Sequence, residues 1–260
     1  MSSSLSTKPQ PEPENKCPDC LFVQLEGIPV LPENPDYLEL LPTLQRSQID
    51  LHLTIRFNEQ WQPLREGRVK FGLKGGELRL KLENGEIPHE SRQLAGSVEL
   101  VRLTLEPESA KNKEPKKFDR LSRNSNSALV VTKASDRTPM VSGQPSDTTS
   151  LNQASVCHIT VKVSEENPTW IFEEERGEPV LKGLLNKVKL ATLTITAFPC
   201  RVEAIFEVSR RDICLTDAEG LWPPDLSRNK RAVLDRLIIQ RLLEPQFQPY
   251  LSRAKLHYDG

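Results

Sequence analysis

Ile49-Asp-Leu-His-Leu-Thr-Ile-Arg-Phe57 is the stretch of this 260-residue sequence that decides the fold class. Every odd position holds an apolar residue and every even position a polar one. Because successive side chains of a β-strand point to opposite faces, this alternation predicts a strand with one buried and one solvated face. Similar alternation recurs at 69–74, 77–82, 157–163, 188–197 and 202–208. The chain is therefore predicted to be mainly β.

Two of these segments flank Gly75 and Gly76, a glycine pair that suits a two-residue hairpin turn with positive φ. Such a turn would place Leu73 opposite Leu78 and Phe71 opposite Leu80 on one apolar face. The spacing predicts a β-hairpin between 69–74 and 77–82.

One α-helix is predicted near the C-terminus, from Ser227 to Glu244. Ser227 suits the N-cap position, and Pro245 is expected to end the helix. Apolar residues at helical spacing predict a buried stripe, which consists of Val233, Leu234, Leu237, Ile238 and Leu242 and is widened by Ile239 and Leu243.

Composition divides the chain into four parts. Residues 1–16 and 107–155 are rich in polar residues and proline, so they are predicted to be a disordered tail and a disordered insertion or linker. The remainder is predicted to form an N-terminal β unit (17–106) and a C-terminal β unit with the terminal helix (156–260). The expected fold is an antiparallel, β-sandwich-like structure of one large or two small units, and the sequence leaves open whether the two form one domain.

No apolar run approaches the ~18 residues of a membrane span, and the first sixteen residues lack the apolar core of a secretory signal. We therefore expect a cytoplasmic protein without membrane contact. Its five cysteines are an odd number, which argues against a disulfide framework and favours reduced thiols. Cys17 and Cys20 have the spacing of half a zinc site and are the candidate metal ligands. A structural zinc needs four ligands and no second close pair exists, so no cofactor is predicted.

The formal charge of -1 conceals two basic segments. Residues 109–133 and 226–258 each carry seven cations against two anions. Flexible or helical segments of this kind can contact nucleic-acid phosphates. The candidate nucleic-acid-binding residues are Lys111, Lys113, Lys116 and Lys117 in the first segment and Arg228, Lys230, Arg231 and Arg236 in the second.

The sequence contains no nucleophile elbow and no His-Glu-x-x-His zinc motif, so no catalytic residue is predicted. The leading hypothesis is a non-enzymatic interaction or scaffold subunit that binds a macromolecular partner, in the first place a protein. One alternative is a nucleic-acid-associated accessory protein that uses the basic segments. A second is an enzyme whose carboxylates come together only in the fold.

Overall fold

The computed structural model describes residues 12–30, 47–101, 155–162, 167–223 and 225–259. Within these residues the chain forms strands and a C-terminal helical segment, with short 3₁₀ turns at His89–Ser91 and Arg210–Asp212. The strands are β1 (Glu14–Asn15), β2 (Leu21–Pro29), β3 (Gln48–Phe57), β4 (Gln60–Pro63), β5 (Arg68–Leu73), β6 (Gly75–Glu83), β7 (Gly85–Glu86), β8 (Gly96–Glu99), β9 (Val156–Lys162), β10 (Thr169–Glu174), β11 (Gly183–Ile195), β12 (Cys200–Glu207), β13 (Ile213–Glu219) and β14 (Ser252–Tyr258).

These strands form three sheets in which every pair described is antiparallel. The largest has the order β1-β14-β12-β6-β10-β9-β8, the second β2-β3-β11-β7 and the third β13-β5-β4. The predicted fold class is confirmed: the protein is mainly β, with antiparallel sheets in a sandwich-like arrangement and a C-terminal helix.

Strand β3 shows the alternation that the sequence predicted. Its five apolar residues Ile49, Leu51, Leu53, Ile55 and Phe57 are all buried, and the polar residues between them are half-buried on the other face. Neighbouring strands β2 and β11 pair with β3 along most of its length. The register shifts twice between β11 and β3, at irregular, bulge-like positions. The second shift, between Lys189 and Ala191, coincides with the point in the sequence of 188–197 where the apolar residues change from even to odd positions.

The core lies where the buried face of β3 meets the inner face of the seven-stranded sheet. The Phe57 ring lies 6.1 Å from that of Phe172 on β10 and 5.9 Å from that of Phe206 on β12, measured between centroids. Tilted or edge-on aromatic pairs at such distances each contribute about 0.5–1.5 kcal/mol beyond the area they bury. This aromatic cluster joins the two sheets.

Strands from both sides of residues 102–154 share each sheet. In the seven-stranded sheet β6 lies between β10 and β12, β3 pairs with β11 in the second sheet, and β5 pairs with β13 in the third. The question left open by the sequence is thereby answered, because the described residues before and after the gap form one compact unit. The predicted tail (1–16) and insertion (107–155) lie almost entirely outside the described residues, which include only 12–16 of the tail and 155 of the insertion.

The predicted hairpin between 69–74 and 77–82 is wrong, although both strands exist. Strand β5 pairs with β4 and β13, whereas β6 pairs with β10 and β12 in a different sheet. Neither Gly75 nor Gly76 has the positive φ of a hairpin turn. The chain instead passes at Lys74 from one sheet to the other. The backbone N–H of Lys74 donates to the carbonyl of Asp212 at 2.7 Å, and its carbonyl accepts from Glu174 N–H at 2.8 Å.

The two glycines are needed at this corner because other strands approach them closely. A Cβ atom at Gly75 would overlap the backbone carbonyl oxygen of Phe172, and one at Gly76 would overlap the buried ring of Phe206. A glycine pair thus signals close packing between strands here rather than a turn.

The C-terminal helix begins where predicted but ends later. It runs as α1 (Arg228–Ile238), a π-helical turn (Ile239–Leu243) and α2 (Glu244–Phe247), with Ser227 in the extended conformation of an N-cap. Pro245 does not end the helix: it lies in the first turn of α2, directly after the π-helical turn, and the helical segment continues to Phe247.

The predicted buried stripe of this helix is wrong for its five central residues, none of which is buried. Leu243, one of the two residues that widen the stripe, is buried together with Phe247. At about 100° of rotation per residue, Leu243 and Phe247 lie on a different side of the helix from Val233 and Leu237. A helix that is anchored in the core by Leu243 and Phe247 therefore leaves the stripe outside.

Replacing Gly75 with Ala should destabilise the protein by about 1–3 kcal/mol, because the added methyl group forces the backbone of β10 to move. Urea-induced unfolding would measure this loss. Lys74→Ala, at the exposed neighbouring position, is the matched control and should change the free energy of unfolding by less than about 0.5 kcal/mol. Equal stabilities of the two variants would contradict the proposed corner.

Glu59 connects the third sheet to the rest of the fold, since its carboxylate lies 3.1 Å from Lys70 Nζ on β5 and 2.8 Å from Lys182 Nζ beside β11. Burial alone would raise the pKa of Glu59, but hydrogen bonds from Lys182, Thr216 and Lys70 outweigh it and hold the pKa below its ordinary value.

A carboxyl group with a lowered pKa stabilises the fold above its unfolded-state pKa, and this contribution is lost as the pH falls through the lower folded-state pKa. Glu59→Gln should therefore cost on the order of 1 kcal/mol at pH 7 and progressively less below about pH 4. The free energy of unfolding measured across this range tests it, with the exposed Glu66→Gln as control. A cost for Glu59→Gln that does not change with pH would exclude the ion pairs as its cause.

Candidate interaction surface on the C-terminal helix

The C-terminal helical segment is anchored in the core by its last two turns, which follow α1. Leu243 and Phe247 are buried, and the Phe247 ring lies 5.5 Å from that of Phe71 on β5. Glu244 accepts from Arg210 at 2.8–2.9 Å and closes the same end. By contrast, no residue between Arg228 and Ile238 is buried. The helix thus presents most of its surface to solvent.

Three large apolar side chains of this helical segment are exposed, and we call them the apolar ridge: Val233, Leu237 and Leu242. Their exposed fractions are 59%, 40% and 40%. Leu234 and Ile238 are half-buried beside them. Folding usually removes such side chains from water, because full burial of each one stabilises the folded state by about 1.5–3 kcal/mol. An apolar face that the fold itself leaves uncovered is a candidate interaction surface.

The four predicted nucleic-acid-binding residues of the second basic segment all lie on α1. Arg228, Lys230, Arg231 and Arg236 are exposed, and none forms a salt bridge with a described residue. Arg241 follows them in the π-helical turn and is exposed too. Lys111, Lys113, Lys116 and Lys117 lie outside the described residues.

Charges on the sheets behave differently from those on α1, because oppositely charged neighbours neutralise them. On the seven-stranded sheet Arg79 contacts Glu207 at 3.4 Å, and Lys162 contacts Glu77 at 2.7 Å. On the second sheet Asp50 accepts from Lys189 and from the Thr192 hydroxyl, each at 2.7 Å. Five cations of the C-terminal helical segment thus have no salt bridge with a described residue, although isolated cations elsewhere, such as Lys81 on β6, have none either.

An open groove lies between α1 and β13, and we call it the β13 groove. Its strand side consists of Ile213, Cys214 and Leu215, and its helix side of Ala232, Asp235, Arg236 and Ile239. Burial raises the pKa of Asp235, and the nearby Arg231 opposes this shift. Sequence reasoning missed the groove because it did not predict β13 and placed the helix by its apolar stripe alone. The short alternation Ile213-Cys-Leu-Thr216 is the signal that could have revealed the strand.

Cys17 and Cys20 lie together in the turn that leads into β2. The carbonyl of Cys17 accepts from the N–H groups of Cys20 and Leu21 at 3.0 and 2.9 Å, and both side chains are buried. Burial raises the pKa of Cys17 to about 11 and also raises that of Cys20, which favours the thiol over the metal-binding thiolate. The described residues bring no group of three or more His, Cys, Asp or Glu side chains together for a metal ion. Metal binding by this pair stays a prediction.

A second groove contains several carboxylates, which bear on the enzyme alternative. Glu77, Glu173, Glu207 and Asp212 line it. Glu77 pairs with Lys162, and Glu207 with Arg79; Asp212 accepts from the backbone N–H and the hydroxyl of Ser209 at 2.7 and 2.6 Å. Three of these four carboxylates thus have structural partners, so the groove supplies no argument for acid–base catalysis.

No protein-family model matches the chain, and no curated protein matches it. Within the described residues, none of the helices is both long enough and apolar enough to cross a membrane. The function of the protein is therefore inferred from the surfaces described above.

All five cysteines are free; four of them are buried and Cys214 is half-buried. Burial raises the pKa of all five thiols, so access decides the order of labelling. We expect a thiol-specific reagent at pH 8 to modify the half-buried Cys214 first and the other four only slowly. Mass spectrometry of the labelled protein measures the order, and unfolding in guanidinium chloride should make all five reactive. Rapid labelling of Cys17 or Cys20 in the folded protein would contradict their described burial.

Proposed function

We propose that this protein is a non-enzymatic, cytoplasmic interaction subunit that docks a protein partner on the apolar ridge of its C-terminal helix. The single observation that carries the proposal is the exposure of Val233, Leu237 and Leu242 on a segment that is otherwise anchored in the core. The five free thiols support the cytoplasmic part of the proposal, since reducing compartments keep cysteines unpaired.

The packing of α1 supports a bound state. Most helical stability in proteins comes from the packing of an apolar face, and none of the 11 residues of α1 is buried, although the helical segment continues to Phe247. A partner that covers the apolar ridge would supply the packing that the sheets do not. Helix-in-groove recognition uses anchors at such i, i+4 spacings, as Val233 and Leu237 provide.

The charge of α1 indicates the chemistry of this partner. Lys230 and Arg241 are exposed cations of the same helical segment as the apolar ridge, and neither has a described carboxylate partner. Complementary charge around an apolar contact raises association rates and selects the partner. We therefore expect a partner surface that combines an apolar groove with an acidic rim.

Paired affinity purifications from the native source test this proposal. The full chain and its Val233→Ser/Leu237→Ser variant serve as baits, and recovered proteins are quantified by mass spectrometry. At least one protein should be recovered about tenfold less, or lower still, with the variant, because two central apolar contacts are lost.

The matched control is Val101→Ser, which changes an apolar residue that is 65% exposed but lies far along the chain from α1. It should recover that protein as well as the unaltered chain does. If no protein depends on the apolar ridge, or if both variants lose the same proteins, docking on α1 is refuted.

A nucleic-acid-associated role is the second candidate, favoured by the four cations Arg228, Lys230, Arg231 and Arg236 that lack described salt bridges. Four phosphate contacts with duplex DNA predict a binding constant that falls about 10²-fold between 50 and 200 mM salt. Fluorescence anisotropy with labelled DNA and RNA measures this dependence, and reversal of the four charges to Glu should abolish binding. Absence of binding at 50 mM salt would eliminate this candidate.

A further inference from the structure

Strand β13 is an edge of the third sheet, since β5 is its described strand neighbour and β4 lies beyond β5. The outer side of an edge strand presents backbone N–H and C=O groups that can pair with another chain. Near its C-terminal end, the N–H of Ala218 is occupied by the Asp217 carboxylate at 2.8 Å. The stretch that remains available for pairing is 213–216, next to the β13 groove.

The β13 groove has a second wall that a bare sheet edge lacks. Ala232, Asp235 and Ile239 lie at i, i+3 and i+7 on one side of the helical segment and line the groove. Val233 and Leu237 of the apolar ridge lie on a different side. The groove measures about 780 Å³, which falls within the range of ligand-binding clefts. It is thus a separate surface from the apolar ridge.

Two guanidinium groups give the β13 groove an unbalanced positive charge. Arg210 is neutralised by Glu244, whereas Arg211 and Arg236 have no salt bridge with a described residue. The two nearby carboxylates do not balance these charges through a salt bridge. Asp212 accepts a hydrogen bond from the Ser209 N–H, and Asp235 is half-buried near Arg231. An occupant with acidic side chains would pair with the two free guanidinium groups.

We infer that the β13 groove binds an extended, acidic peptide segment of a partner protein, which adds as a strand to 213–216 and lies against α1. Backbone hydrogen bonds to β13 would supply affinity independent of sequence. Side chains on one face of the peptide would pack against Ala232 and Ile239, and acidic side chains would pair with Arg211 and Arg236 of the same lining. These contacts would supply specificity. The inference concerns a different side of the helical segment from the proposed docking of a partner on the apolar ridge.

Selection of short random peptides displayed on phage against the full-length chain tests the inference, with the Arg211→Glu/Arg236→Glu variant used for counter-selection. We expect enriched sequences rich in Asp and Glu, whose synthetic peptides bind the unaltered chain at least about tenfold more tightly than the variant. Enrichment of neutral or basic sequences, or none that depends on the two arginines, would overturn the inference. Two further results would also overturn it: an oligonucleotide that competes with the peptides and needs the same arginines, or a dimer of the chain that does so.

Backbone methylation of the best peptide tests strand addition itself. In an antiparallel pair only alternate residues of a strand direct their N–H groups toward a given neighbour. N-methylation of one alternate set should therefore abolish binding, and methylation of the other set should preserve it. Equal effects of the two sets would refute pairing with β13.

The Val233→Ser/Leu237→Ser variant separates this inference from the proposed function. It should bind the selected peptide as tightly as the unaltered chain does, because the apolar ridge does not line the groove. Loss of peptide binding in this variant would show that the peptide occupies the apolar ridge instead of the β13 groove.

Discussion

The packing of Phe57 against Phe172 and Phe206 is the interaction on which the rest of the structure depends. It joins β3 of the second sheet to β10 and β12 of the seven-stranded sheet, and it lies at the end of the strand with the most regular alternation. These strands come from both sides of residues 102–154, so the same contact unites the two parts of the sequence. The chain passes between the sheets through loops and corners, among them the corner at Lys74 between the third and the seven-stranded sheet.

Those corners determine where the C-terminal helix attaches. At Lys74 the chain leaves β5 and enters β6, and the backbone of Lys74 bonds to Asp212 in the turn that precedes β13. Strand β13 is thereby held at the outer edge of the third sheet. Phe247 packs on Phe71 of β5 within that sheet, and Val233 and Leu237, which lie on a different side of the helix, stay exposed. The exposed helix and the groove beside it are therefore consequences of the corner and of this anchoring contact.

The charge distribution differs between the sheets and the C-terminal helix. Strands place oppositely charged residues side by side, so the outer faces of the sheets are largely neutralised, as Arg79 and Glu207 illustrate. A helix that has few neighbours cannot be neutralised in this way. The cations of α1 therefore stay available for a partner, and a net charge near zero for the whole chain does not reveal this local surface.

Alternation determined by itself which residues of β3, β9 and β12 form strands, and in β3 also which face is buried, because that property depends only on neighbours along the chain. The start of the helix at Ser227 and the four clustered cations were predictable for the same reason. Only the tertiary structure decided the pairing of β5 and β6 with distant strands, since the close approach of Phe172 to Gly75 arises from residues about a hundred positions away. The β13 groove likewise depends on contacts between distant segments. The side of the helix that packs on the sheets is marked locally by Ile239, Leu243 and Phe247, at i, i+4 and i+8, and only the tertiary structure decided between this set and the apolar stripe on the other side.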